Sequence, residues 1–184
     1  FGRISPTTAN HVKKQLPNVD YIIDGGKTTV GIESTIITLT EKGFKILRSG
    51  IITQEDIQTV VEFDSTSEIQ TLSAPGMLKS HYSPRKKMLI VYDKNKLVNI
   101  DKSKIGLISF TGEFDESEYK KIIKVSKTND LKEYAINLFA SMHSLEDDDE
   151  IEVIFAEAVS ETGIGKAIMD RLKKAEFDWK KAEL

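Results

Sequence analysis

The residues of this 184-residue sequence with the most capacity for chemistry are two hydroxyls, one guanidinium and a histidine–tyrosine pair. Ser34 and Thr35 close the run Gly31-Ile32-Glu33-Ser34-Thr35 and open an apolar stretch. Where a turn enters a strand, side-chain hydroxyls and nearby backbone N–H groups can face a ligand. The same hydroxyls can instead bond to their own backbone. Arg48 ends the next apolar run, just before Ser49 and Gly50. Its planar fork of donors matches phosphate or ribose oxygens, while the commoner use of an arginine is a surface ion pair. His81 and Tyr82 stand in a proline-punctuated stretch, where a histidine is ordinarily just solvated. Lys79, Arg85, Lys86 and Lys87 add positive charge there, suited either to a triphosphate or to bulk solvent.

Other chemistries are excluded or weakly supported. The sequence has no cysteine, which removes disulfides, thiolate catalysis and cysteine zinc sites and fits a reducing compartment. His11, His81 and His143 are too widely spaced for a metal-ligand pattern, so no metal-binding residue is assigned. His11 reads as structural, and His143 as a cation capping a helix end. Gly163-x-Gly165 lacks the third glycine of a dinucleotide fingerprint. The net charge of −3, with 30% charged and 39% hydrophobic residues, describes an ordinary globular chain. No basic stripe dominates, so direct RNA contact has weak support. No apolar run approaches the roughly 18 residues that span a bilayer.

These side chains need elements to hold them. Ser5-Pro6 predicts a helix start, with Ala9, Val12 and Leu16 as its apolar face and Pro17 as its stop. Residues 21–23 predict a buried strand ending at Asp24-Gly25-Gly26. Residues 35–39 and 44–47 predict a hairpin around Glu41-Lys42-Gly43. Thr53 and Asp56 have capping-box spacing, and a helix is expected through Val61. From 64 to 87 no period survives, and the breakers of a long loop collect there. A second pattern then begins, with strands over 88–92, 105–110, 122–125 and 151–159. Between them Leu131, Tyr134, Ala135, Leu138, Phe139 and Met142 fall on one face of a helix. The acidic run 146–150 reads as a solvated loop, and a last helix carries Ile168, Leu172 and Ala175. Periodicity alone stops at two small α/β units joined by a loop.

Longer motifs go further. Phe1-Gly2-Arg3-Ile4-Ser5-Pro6-Thr7-Thr8-Ala9, Gly31-Ile32-Glu33-Ser34-Thr35-Ile36, Ile46-Leu47-Arg48-Ser49-Gly50 and residues 74–84 occur in order. They are followed by Phe155-Ala156-Glu157, by 163–169 and by Arg171-Leu172. In this order and spacing, over nearly the whole chain, they resemble the two-domain threonylcarbamoyl-AMP synthases. The resemblance implies an α/β chain in three parts. Residues 1–63 would be the C-terminal part of a YrdC-like catalytic domain, 64–87 a proline-rich interdomain linker, and 88–184 a small Rossmann-like open α/β sheet domain.

The resemblance also implies a cytoplasmic nucleotidyltransferase that joins L-threonine, bicarbonate and ATP into threonylcarbamoyl-AMP and pyrophosphate. Magnesium would accompany the ATP, and a tRNA-modifying transferase machinery would use the product. Ser34 and Arg48 would be catalytic. Ser34, Thr35, Arg48, His81 and Tyr82 would bind nucleotide or threonine, the last two as lid residues, and Glu33 would orient the turn. Ser49 departs from the family, which usually has proline after this arginine. The family's lysine–arginine pair and Ser-x-Asn motif are expected upstream of Phe1, so the chain reads as N-terminally truncated and inactive alone. The alternatives are a non-catalytic RNA-binding or translation-factor module and, less well matched for want of cysteine zinc motifs, carbamoyl transfer in hydrogenase maturation.

Overall fold

A computed structural model describes residues 2–66, 81–97 and 101–181, the side chains of 177–181 excepted. The first part holds helix α1 (Ala9–Gln15), a hairpin of β1 (Ile36–Thr40) and β2 (Gly43–Arg48), and the short helix α2 (Gln54–Gln58). The second part holds strands β3 (Lys87–Val91), β4 (Ile105–Ser109), β5 (Lys121–Lys124) and β6 (Val153–Glu157), with helices α3 (Leu131–Glu146) and α4 (Gly165–Lys181).

The four later strands form one parallel sheet in the order β3-β6-β4-β5. Every residue of β4 is buried, as a near-continuous apolar run in a two-sided parallel strand requires. One face packs Met88, Ile90, Ile108 and Ile154 against Leu138, Phe139, Met142, Ile168 and Leu172 of α3 and α4. The other face is covered by Leu97 of a 3-10 helix (Lys94–Leu97) and by loops carrying Phe114 and Tyr119. Glu176 of α4 accepts from the Ile90 N–H at 2.9 Å. This open α/β sheet is the architecture expected for the later residues.

The first part packs onto the same two helices. Ile4, Ile32 and Tyr82 belong to the core cluster of α3 and α4. Gly31, at φ +80°, lies so close to α3 that a Cβ would stand 2.3 Å from the Ile136 carbonyl oxygen. Only glycine meets both conditions.

Several local expectations are corrected. The first helix is capped by Thr8, whose hydroxyl accepts from His11 N, because the Ser5 hydroxyl donates to Glu33 instead. Residues 21–23 form no strand: Tyr21 is 90% and Ile23 96% exposed, with no strand paired to them. β-propensity without a pairing surface does not make a strand. The Thr53–Asp56 capping box is present, but α2 ends at Gln58.

His143 is no exposed cap. It is 4% exposed, its Nε2 lies 3.2 Å from Ser5 O, and its ring stacks on His11 at 3.8 Å. Burial holds both rings below the usual histidine range, and the charge of His143 lowers His11 further. The acidic run is partly docked: Glu146 pairs with Arg85 at 3.4 Å and Asp147 with Lys14 at 2.6 Å.

Both ends of the expected linker are anchored. Phe44 N donates to Glu62 O and Asp64 N to Phe44 O, each at 2.9 Å, and hydrogen bonds from Thr66 and Thr40 lower the Asp64 carboxyl to about 2. Ser83 N donates to Gly2 O at 2.8 Å and Ser83 Oγ to Ala175 O at 3.2 Å. The middle of the expected linker, residues 67–80 including Lys79, lies outside the described residues.

Candidate functional site

The hairpin register brings the end of β2 to the start of β1. Ile36 pairs with Arg48, and an irregularity between Ile36 and Ile37 turns the strand entry. Arg48 therefore reaches back across the 33–35 turn. Its Nε donates to Ser34 O at 3.0 Å, and its Nη2 to Ser34 Oγ at 3.2 Å. The chain then crosses the same turn through Gly50, where a Cβ would stand 2.3 Å from Thr35 N. The short glycine thus lets two backbone segments touch and holds Ser34 beside Arg48 at the surface. Thr35 Oγ1 donates to Ile52 O at 2.6 Å, the backbone use of a hydroxyl, and ties the turn to the segment beyond Gly50.

Behind this exposed pair lies a buried charge cluster. Arg171 projects from α4 with a side chain 0% exposed. Its Nε and Nη2 donate to Glu33 Oε2 at 3.2 and 3.1 Å, and its Nη1 to Ser49 O at 2.5 Å and Asp170 Oδ2 at 3.1 Å. Ser5 Oγ donates to Glu33 Oε1 at 2.5 Å. Each lone pair and N–H accounted for here reduces the large penalty of burying charge. Ser49 is thus fixed through its carbonyl.

Tyr82 closes the cluster. It is 1% exposed, and the Arg171 guanidinium carbon sits 5.6 Å from its ring centroid. The ring also stacks on Phe139 at 5.3 Å, and the backbone is held at φ +64°, a conformation a bulky residue adopts only when packing imposes it. Burial first, then the Glu33 charge, raise the Tyr82 hydroxyl to about 12. His81 packs on Tyr82 at 4.1 Å, and burial holds its ring below the usual histidine value.

The structure therefore brings Ser34 and Arg48 into contact and joins Tyr82 to them through Glu33 and Arg171. Arg85 and Lys86 do not face this turn. They are engaged at the end of α3, Arg85 with Glu146 and Lys86 with the carbonyls of Leu145 and Asp148. A cavity of about 380 Å³ lined by Ser5, Pro6, Thr28, Val30 and Glu33 opens beside the cluster. Among the described residues no group of histidine and carboxylate side chains could hold a metal ion. Sequence reasoning missed Arg171 and the reach of Glu33. The signal was a charged residue on the apolar face that carries Ile168, Leu172 and Ala175.

Two family models match the chain. One, described as threonylcarbamoyl-AMP synthase, C-terminal domain, matches residues 52–176. A YrdC-type model described as telomere recombination matches residues 1–50. Proteins named threonylcarbamoyl-AMP synthase are 33% identical over 192 residues in Pyrococcus abyssi and 28% over 187 residues in Bacillus subtilis. In each case 95% of this chain aligns with 54% of the relative. The chain thus spans about half the length of the curated relatives it matches. The crystal structure of P. abyssi Sua5 complexed with L-threonine superimposes with a TM-score of 0.74 at 31% identity, over 96% of this chain and 55% of that one. A P. abyssi Sua5 variant with a consecutive histidine and tyrosine replaced by alanine gives a TM-score of 0.74 at 29% identity, over 96% and 54%.

Proposed function

Because the chain belongs to the threonylcarbamoyl-AMP synthase family, we propose that it forms part of an enzyme joining L-threonine, bicarbonate and ATP into threonylcarbamoyl-AMP and pyrophosphate. The observation that carries this reading is the contact between Arg48 and Ser34 on the exposed turn. A planar cation locked to a hydroxyl-bearing turn is a preorganised receiver for phosphate charge and needs no rearrangement as that charge moves to the departing pyrophosphate. The relative solved with L-threonine supports the amino acid as one substrate. Magnesium would arrive with the triphosphate rather than at a protein cage, and the product would pass in the cytoplasm to the machinery that modifies tRNA.

The division at residues 63 and 87 belongs to the same proposal, with 64–87 as the tether that carries His81 and Tyr82 to the cluster. A lid role for 74–84 would exclude water from the short-lived carbamate. The burial of Tyr82 supports a closed position for that end of the segment.

ATP titrations of threonine- and bicarbonate-dependent pyrophosphate release in the full-length protein test the reading. Arg48→Ala should reduce kcat/KM roughly 100-fold, and Arg48→Lys less, since lysine keeps charge but loses the fork. A parent protein without such release, or both variants equal to the parent, overturns it.

A further inference from the structure

We propose that Arg171 is a positioning residue for this reaction: a helix of the C-terminal unit sets the separation of Ser34 and Arg48 by gripping the chain neighbour of each. The inference deepens the function proposed above and rests on it. Arg171 holds Glu33, the residue before Ser34, and the carbonyl of Ser49, the residue after Arg48. The N–H directions of one guanidinium are fixed in a plane. Glu33 Oε2 and Ser49 O are therefore fixed relative to each other, and one peptide step further out so are Ser34 and Arg48.

The grip is rigid at its root. Arg171 is fully buried among Ile168, Leu172 and Ala175, and close packing leaves its stem little freedom. Tyr82 covers its face, Asp170 takes part of Nη1, and Ser5 holds the far oxygen of Glu33. Adhesion between the two parts does not explain this choice of residues. A buried ion pair adds little over a well-packed apolar pair of similar volume. An apolar side chain at 171 would join the parts but could not clamp a carboxylate and a carbonyl together. The clamp makes the C-terminal unit a component of the site's geometry.

The test compares the full-length parent with Arg171→Lys, which keeps charge without the fork, and Glu33→Gln, which weakens the clamp from its more solvated side. The two readouts are kcat, measured where each variant is folded, and solvent exchange of the Arg48 Nε–H by 15N NMR. Both variants should exchange that proton faster and lose roughly 10- to 100-fold in kcat, as misplacement near an ångström does. A residue that only stabilises the fold would lower Tm while folded molecules kept parental kcat and parental exchange. Should Arg171→Lys not fold, Glu33→Gln decides alone. Unchanged Arg48 exchange overturns the inference, and so does faster exchange with unchanged kcat. A parent without threonine- and bicarbonate-dependent pyrophosphate release overturns the function instead, while the exchange measurement still judges the clamp.

Discussion

Residues 87–176 and residues 2–50 are held in place by different means. The later region has a core of its own on both faces of a parallel sheet. The earlier region has little: α1 buries no residue, and no helix or strand forms between Gln15 and Ile36. Of its buried apolar side chains, Ile4 and Ile32 enter the cluster of α3 and α4, while Phe44 packs on Phe63 just beyond it. The candidate turn, with Ser34 and Arg48, thus sits in the region that borrows its order. Its exposed side is open to a ligand, and its inner side is fixed from α4.

The strongest way to break this arrangement is through the lender. Phe139 is 0% exposed in α3 and stacks on Tyr82. Phe139→Ala should cost about 3–5 kcal/mol through lost burial and the cavity left behind. The Thr28 N–H, which donates to Thr7 O at 3.0 Å, should lose hydrogen-exchange protection together with the amides of α3. Thr28 retaining protection while α3 exchanges freely would mean that the earlier region stands by itself.

The same contrast explains what the sequence made legible. The later region follows local rules: apolar runs for strands, a spaced stripe for α3, and one sheet that satisfies both. Residues 36–48 were equally readable, because a hairpin carries its own pairing partner. Residues 21–23 had strand composition but no pairing surface, and pattern alone could not reveal that. Ser5 read as a helix cap because its bond to Glu33 joins residues far apart in sequence. His143 read as a helix-end cation because nothing local announces His11 stacked against it. Ser34 and Arg48 are singled out by motifs, and the structure puts them in contact, while Arg171 stands only inside a longer motif. Its partners lie 122 and 138 positions away, and no periodicity spans that distance.

A smaller change sharpens the comparison by touching only the borrowed contact. In Gly31→Ala the new methyl would meet the Ile136 and Ala135 carbonyl oxygens at 2.3 and 2.5 Å, and backbone atoms of a helix cannot rotate away. The residue would also have to hold φ +80°. A loss of about 1–3 kcal/mol is expected, centred on residues 28–33. Trypsin should cut faster after Lys27, while the amides of β4 keep their protection. Equal loosening of β4 would show that the two regions share stability in both directions.

The weakest lever is pH, acting through the stacked imidazoles that join α1 to α3. His143 faces His11, Ser5 O, Glu146, Asp147 and Lys14, and His11 faces Thr7, Asp147 and Lys14 as well. The carboxylates favour protonation, but burial outweighs them at both rings, the charge of His143 adds to it at His11, and both values are lowered from 6.5. The unfolded chain therefore binds more protons than the native one just below 6.5. Stability from this pair is fully present above that value and is lost as pH falls from it through the lowered native values. The slope in that window is at most about 1.4 kcal/mol per pH unit for each proton. His143→Phe keeps an aromatic ring against His11 while removing one titration and the repulsion it exerts. Denaturant unfolding at a series of pH values from neutral to mildly acidic should show a shallower decline in the variant than in the parent. If the decline is the same in both, the Glu146 and Asp147 carboxylates, not the imidazole pair, set the acid sensitivity of this contact.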